Sequence, residues 1–253
     1  MMKLRTLVVD DEEPARRILI EMLAEHEDLE IVAECANGYE AVKAISAHRP
    51  DLILLDIQMP KLSGFEVLEL LDSETGPGAR DPAVIFATAH DQHAVRAFEV
   101  HAVDYLLKPI APERLAAALA RARLRIASGD AASVRSLARL GRREGEPADR
   151  LLVREEERIH VLPADKIDFV EAQDDAVVIH AGGARHKKAE TLAEVEASLD
   201  PRRFVRIHRS FLLNLDRLAR LELYAKDSRV AILANGQRLP VSRAGYARLK
   251  ELL

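Results

Sequence analysis

Five short runs rich in Val, Ile and Leu recur through the first half of the chain: Leu4–Val9, Glu30–Cys35, Leu52–Leu55, Ala83–Thr88 and Val103–Leu106. Near-continuous apolar runs of this length are what strands buried on both faces require. Between them, apolar residues return at helical spacing. Ile18, Met22 and Leu23 share one face, as do Phe65, Leu68 and Leu71, and then Leu115, Leu119 and Ala122. Pro14 and Pro112 stand where helices begin, and Pro50 and Pro82 stand just before strands. The pattern predicts five strand–helix units over residues 1–127, an α/β doubly wound domain on a five-stranded parallel sheet.

The second half changes period. Alternation marks strands at Leu151–Val153, Ile159–Leu162, Ile167–Ala172, Val177–His180 and Arg185–Ala189. It continues at Phe204–Ile207, Phe211–Asn214, Leu218–Tyr224, Arg229–Leu233 and Gln237–Pro240. Turns are signalled at Asp174–Asp175, Gly182–Gly183, Asp227–Ser228 and Asn235–Gly236. Thr191–Leu199 and Ser242–Leu252 read as short helices opening on a hydroxyl cap. Residues 150–253 are thus expected to be mainly β. Residues 128–149, rich in Ala, Arg, Gly and Ser, read as a linker, with Val134, Leu137 and Leu140 as a short helical stripe. Arg142–Arg143 within it read as a solvated pair or a phosphate contact.

Composition narrows the class. Of 253 residues, 48% are hydrophobic and 31% charged, as in an ordinary globular protein. Apolar runs such as Leu52–Leu55 fall far short of the roughly 20 residues a membrane span needs. The acids that follow Val9 at once leave no room for a signal-peptide core, so no membrane partner and a cytoplasmic location are expected. The single cysteine, Cys35, reads as a small buried hydrophobe, and the nine histidines show no metal-ligand spacing. The net charge of −5 hides an asymmetry. Residues 1–127 carry 14 basic against 22 acidic side chains, whereas residues 202–243 carry ten basic against three. A locally basic stretch beside an acidic domain suggests a nucleic-acid surface in the second half.

The chemistry sits at strand ends. Asp10 and Asp11 follow the first strand, Asp56 follows the third, Thr88 ends the fourth and Lys108 follows the fifth. All lie at the carboxyl edge of a parallel sheet, where such folds bind ligands. Three carboxylates gathered there repel one another, and a hard cation relieves that; oxygen ligands suit Mg²⁺. A carboxylate beside Mg²⁺ can take a phosphoryl group as an acyl phosphate, with Lys108 and Thr88 holding its oxygens. Taken singly, the residues have plainer readings. Asp10 and Asp11 also suit a helix cap, Asp56 a turn, Thr88 a strand interior and Tyr105 a core. His90 and His93 also suit a solvent-facing helix start.

LVVDDEEPAR, LILLDIQMPKLSG, FATAH and DYLLKPI together resemble the receiver domain of two-component response regulators. The resemblance covers residues 1–127 and implies a flavodoxin-like sheet of strand order 2-1-3-4-5. It implies Asp56 as phosphoacceptor and Asp10, Asp11, Asp56 and the backbone carbonyl of Gln58 around Mg²⁺, Asp10 largely through water. Thr88 and Tyr105 are implied as the pair that moves on phosphorylation, Lys108 as the phosphate lysine, and the Lys108–Pro109 bond as cis.

Residues 200–225 alternate like strands and do not fit a helix-turn-helix. FVRIHRSFLLNLDRLARLE, NGQRLPVSR and FVEAQDDAVVIH instead resemble the LytTR DNA-binding domain, over about residues 150–253. The resemblance implies loops that enter the major groove, with Arg209 and Arg243 reading bases and Asp175 in a third base-reading place. Arginines there can pair bidentately with guanine, and an acid can accept from a cytosine amine. His208, Ser210, Ser242, Lys187 and Lys188 are placed for phosphates. Lys187–Lys188 also read as an edge-strand guard, His208 as a packed strand residue and Asn214 as a turn former. Arg206 is expected to pair with Glu171 or Glu222. The implied protein is a transcription factor phosphorylated by a sensor histidine kinase, dimerising through its fourth and fifth receiver helices and binding paired promoter sites. An output that binds protein or RNA is the alternative. No enzymatic motif stands out in the second half.

Overall fold

The strands of the first half assemble in the order their apolar runs require. The computed structural model describes residues 3–72, 81–89, 102–128, 147–156, 158–225 and 228–252, in two units, Met1–Gly141 and Arg142–Leu253. The segments expected to form the fourth receiver helix, with His90 and His93, and the linker stripe, with Arg142–Arg143, lie outside the described residues, as does Asp227.

In the first unit, β1 (Leu4–Val9), β2 (Leu29–Cys35), β3 (Leu52–Leu55), β4 (Ala83–Thr88) and β5 (Asp104–Leu107) form a parallel sheet of order β2-β1-β3-β4-β5. Helices α1 (Glu13–Ala24), α2 (Gly38–His48), α3 (Gly64–Asp72) and α4 (Pro112–Ser128) accompany it. Leu52–Leu55 is buried along its whole length, as a strand covered on both faces should be. Leu115, Leu119 and Ala122 of α4 pack on Val8, Leu54 and Ile85 of the sheet. Helix α1 is rotated from its expected face: Leu19 and Leu23 enter the core, and Ile18 is 57% exposed. Cys35 is buried, and burial pushes its thiol up to about 12.

The second unit opens on a hairpin of β6 (Arg150–Glu155) and β7 (Arg158–Pro163). Strands β8 (Ile167–Gln173), β9 (Ala176–Ala181), β10 (Ala184–Lys188), β11 (Phe204–His208) and β12 (Phe211–Asn214) make an antiparallel sheet of order β10-β9-β8-β12-β11. Strands β13 (Leu218–Ala225), β14 (Ser228–Leu233) and β15 (Arg238–Val241) form a third sheet. Helix α5 (Leu192–Ser198) starts on a Thr191–Glu194 capping box. Helix α6 (Arg243–Leu252) sends Leu249 into a core with Ile207, Leu213 and Val241. Gly236 turns the last hairpin at φ +86°. Among the described residues, no helix is long and apolar enough to cross a membrane.

Candidate functional site

The sheet ladder of the first unit fixes the polar residues at its carboxyl edge. Each continues the ladder one residue past a strand end. Asp10 N donates to Cys35 O (3.1 Å), Asp56 N to Val9 O (2.9 Å) and Lys108 N to Thr88 O (2.9 Å). Their side chains converge. Lys108 Nζ lies 2.6 Å from Asp56 Oδ2, 2.8 Å from Asp10 Oδ2 and 3.6 Å from Glu12 Oε2. The other oxygens accept backbone amides, Asp56 Oδ1 from Gln58 N (3.1 Å) and Asp10 Oδ1 from Glu12 N (3.0 Å). The Lys108–Pro109 bond is cis.

Carboxylate oxygens of Asp10, Asp11 and Asp56 lie within 4.8 Å of one another, Asp10 and Asp56 buried and Asp11 partly so. Burial pushes the Asp10 carboxyl above its usual range, and the Asp56 charge adds to this; Lys108 and the Glu12 amide pull the other way. Burial disfavours the Lys108 ammonium, but its bonds to Asp10 and Asp56 outweigh that and hold it above the ordinary lysine value. An all-oxygen donor set of this charge fits a hard divalent cation. Beside this group, the fully buried Thr88 Oγ1 has no hydrogen-bond partner among the described residues. An unsatisfied buried hydroxyl costs stability. Tyr105 is buried with its ring 6.5 Å from that of Phe86, which packs 5.1 Å from Phe65.

Three features of this site escape sequence inspection. Glu12 adds a carboxylate to Lys108. Gly64 opens α3 so close to the Asp56 loop that a Cβ would lie 2.3 Å from the Asp56 carbonyl oxygen. Its amide donates to Ile57 O at 2.9 Å, clamping the loop. The buried carboxylate of Asp104 takes Arg114 (3.3 Å) and Arg121, tying α4 to β5 next to Tyr105.

In the second unit, four segments gather at one end of the five-stranded sheet. Phe211 pairs with Glu171, and Ala172 N donates to Ser210 O (2.9 Å), so the 174–175 and 209–210 turns share that end. Lys188 pairs with Val177, bringing the end of β10 there too. Ser242 N donates to Ile207 O (2.8 Å), seating the start of α6 beside β11. A groove of about 560 Å³ is lined by Arg206, His208, Arg209, Ser242 and Arg248, with Glu196 the one acid.

Arg209 and Arg243 are exposed, as are Lys187 and Asp175, the last beside Asp174 at φ +50°. His208 Nδ1 accepts from Ser210 N (3.3 Å), which leaves Nε2 as its donor. Two placements differ from the expectation of exposed phosphate contacts. Lys188 is only 5% exposed and pairs with Glu190 at 3.3 Å. The Ser242 hydroxyl donates its one proton to Ile207 O (3.1 Å), and its oxygen caps α6 by accepting from Gly245 N (3.0 Å). A third concerns Arg206, which pairs with Glu196 (3.2 Å) and donates to Arg209 O (2.9 Å). Glu171 instead faces His180, and Glu222 faces Arg220 and Arg238. Asn214 is a turn former, donating to Ile167 O (2.7 Å) and accepting from Asp216 N (3.1 Å). Arg248, which donates to Arg206 O (3.0 Å), joins the groove from one helical turn beyond Ala244 and carries no sequence signal of its own.

Comparison with known proteins gives matches to both halves. Residues 6–120 match the response regulator receiver domain, and residues 157–253 match the LytTr DNA-binding domain. The chain is 36% identical over 251 residues to transcriptional regulatory protein BtsR of Salmonella typhi, covering 99% of both chains. The same identity and coverage hold against BtsR of Escherichia coli strain K12. Among solved structures, it is similar to the response regulatory domain of protein mrkE from Klebsiella pneumoniae. That match has 30% identity and a TM-score of 0.44, over 49% of this chain and 99% of that one.

Proposed function

The chain belongs to the two-component response regulators that join a receiver domain to a LytTr DNA-binding domain, and from that premise we propose that phosphorylation of Asp56 controls how its second unit engages promoter DNA. The observation that carries this is the buried Asp56–Lys108–Asp10 group with the unpartnered Thr88 hydroxyl at one sheet edge.

A sensor histidine kinase is the donor. A carboxylate oxygen of Asp56 attacks phosphorus, the bond from phosphorus to the imidazole nitrogen breaks, and its electron pair stays on that nitrogen. The product is an acyl phosphate on Asp56. A Mg²⁺ ion held by Asp10, Asp11, Asp56 and the Gln58 carbonyl would neutralise charge on the phosphoryl oxygens. Lys108, already within hydrogen-bond reach of Asp56, moves its proton-bearing nitrogen to one phosphoryl oxygen. The Thr88 hydroxyl donates to another, gaining the partner it lacks. Because Thr88 and Tyr105 lie on the adjacent, hydrogen-bonded strands β4 and β5, a shift in one repacks the other. That repacking favours a receiver dimer, and two second units then hold paired sites with the gain of effective concentration. Arg209 and Arg243 read bases, Asp175 faces a base edge, and Lys187, Ser210 and the Nε2 of His208 hold phosphates. The protein works in the cytoplasm and is not an enzyme; its only chemistry is on itself.

Two experiments test this. Asp56→Asn should abolish labelling by acetyl phosphate with Mg²⁺, and full labelling would move the site elsewhere. Selection from a random duplex pool, with and without Mg²⁺ plus beryllofluoride at fixed salt, should enrich a paired motif more strongly with the phosphoryl mimic. Equal enrichment would uncouple DNA binding from Asp56, and no motif in either state would favour a protein or RNA partner.

A further inference from the structure

We propose that Glu155, His160 and His186 form a binding site for a borderline transition cation, Zn²⁺ foremost. The histidines are 26 residues apart in sequence and show no ligand spacing, yet the fold brings them together. Glu155 pairs with Arg158 across the β6–β7 hairpin, so His160, two residues on, shares its face. His186 comes from β10, whose Lys187 amide donates to Glu155 Oε1 (3.1 Å). One ligand atom from each residue lies within 4.8 Å of the others.

The spacing suits a metal. Glu155 Oε2 is 3.3 Å from His160 Nε2, and Glu155 Oε1 is 3.5 Å from His186 Nδ1. Tetrahedral coordination at zinc distances places ligand atoms about 3.4 Å apart. The two imidazoles stand 4.5 Å apart, tilted by 43°. His186 is 9% exposed, and its buried Nδ1 makes no hydrogen bond among the described residues, while it lies within reach of the other two groups. A simple imidazolium–carboxylate pair would satisfy that atom; a cation does so while also taking up the Glu155 charge. Two nitrogens and one carboxylate select zinc-like ions over Mg²⁺, and three protein ligands leave a fourth position for water or a further group. The ion would join the two-stranded β6–β7 hairpin, marginal by itself, to the edge strand that presents Lys187.

The test uses the full-length chain, stripped with a chelator and dialysed against Zn²⁺ in excess Mg²⁺. Zinc per chain is measured by elemental analysis, and thermal unfolding is followed with and without Zn²⁺. One zinc per chain and a raised unfolding temperature are expected. His160→Gln, at a partly exposed position, should bind at least about tenfold more weakly while keeping its zinc-free unfolding temperature, and His186→Gln should do the same. The proposal is overturned if no zinc is retained, if Mg²⁺ displaces it, or if His160→Gln holds it as tightly as the parent chain.

Discussion

Helix α6 sits on β11 through a glycine, and Gly245→Ala tests how much depends on that contact. An added Cβ would lie 2.0 Å from the Ile207 carbonyl oxygen and 2.5 Å from its carbon. Both are backbone atoms of a strand paired to β12, so no side-chain rotation relieves the clash. Reaching ordinary contact requires the helix start to move by about 1 Å or more. That shift breaks the two bonds from Ser242 to the same carbonyl. Two hydrogen bonds at about 1 kcal/mol each, with about 1–3 kcal/mol of overpacking, give a loss of roughly 3–5 kcal/mol. Against a typical stability of about 5–15 kcal/mol, that loss is large. Arg243, the first residue of α6, moves with it. Urea unfolding followed by circular dichroism should show the second unit melting early. Fluorescence anisotropy with a selected duplex should show DNA affinity falling at least tenfold. Labelling of Asp56 by acetyl phosphate should be unchanged, since it belongs to the other unit. An unchanged urea midpoint together with unchanged DNA affinity would refute the reasoning.

Other outcomes follow from the same geometry. Arg243→Ala should cost about 1–3 kcal/mol on the selected sequence and little on random DNA, whereas Lys187→Ala should weaken both alike and lower the salt slope by about one; uniform weakening by Arg243→Ala would demote it to a phosphate contact. Cys35, with its thiol raised to about 12 by burial, should be alkylated at neutral pH only as the chain opens; labelling at the rate of the unfolded chain would contradict its burial. The Arg123 hydrogen bond holds the Asp28 carboxyl below its ordinary value. Stability from that pair is present above the unfolded pKa of about 3.9 and is lost as pH falls through the lower folded value. Being partly exposed, the pair contributes about 0.2–1 kcal/mol. Arg123→Ala should remove that acid-range component, and identical pH profiles of unfolding would show it contributes nothing.

Strands were the legible part of this fold, because period-two and fully apolar runs are local signals. Leu4–Val9, Leu52–Leu55, Ala83–Thr88 and Phe211–Asn214 begin and end where their patterns do. The face of α1 was not legible. Ile18, Met22 and Leu23 make an acceptable stripe, but the sheet selects Leu19 and Leu23, a rotation set by packing and not by spacing. The carboxyl-edge residues could be placed because a parallel sheet turns sequence position into spatial position. The Asp104–Arg121 bond and the Glu155, His160 and His186 cluster could not, since they join segments whose proximity only the folded chain decides. Lys187 and Lys188 look alike in sequence, yet alternation along β10 exposes one and buries the other.

The strand order of the second sheet also sets a ruler. From β10, which carries Lys187, to β11, which leads into Arg209, there are four strand spacings, or about 19 Å. A duplex laid along that end advances about 3.4 Å per base pair, so these five strands span roughly five to six base pairs, half a helical turn, and α6 with Arg243 lies beside the β11 edge of that span. Two copies on one face of the duplex then fall into step only when their half-sites are separated by whole turns, about 10–10.5 base pairs from centre to centre.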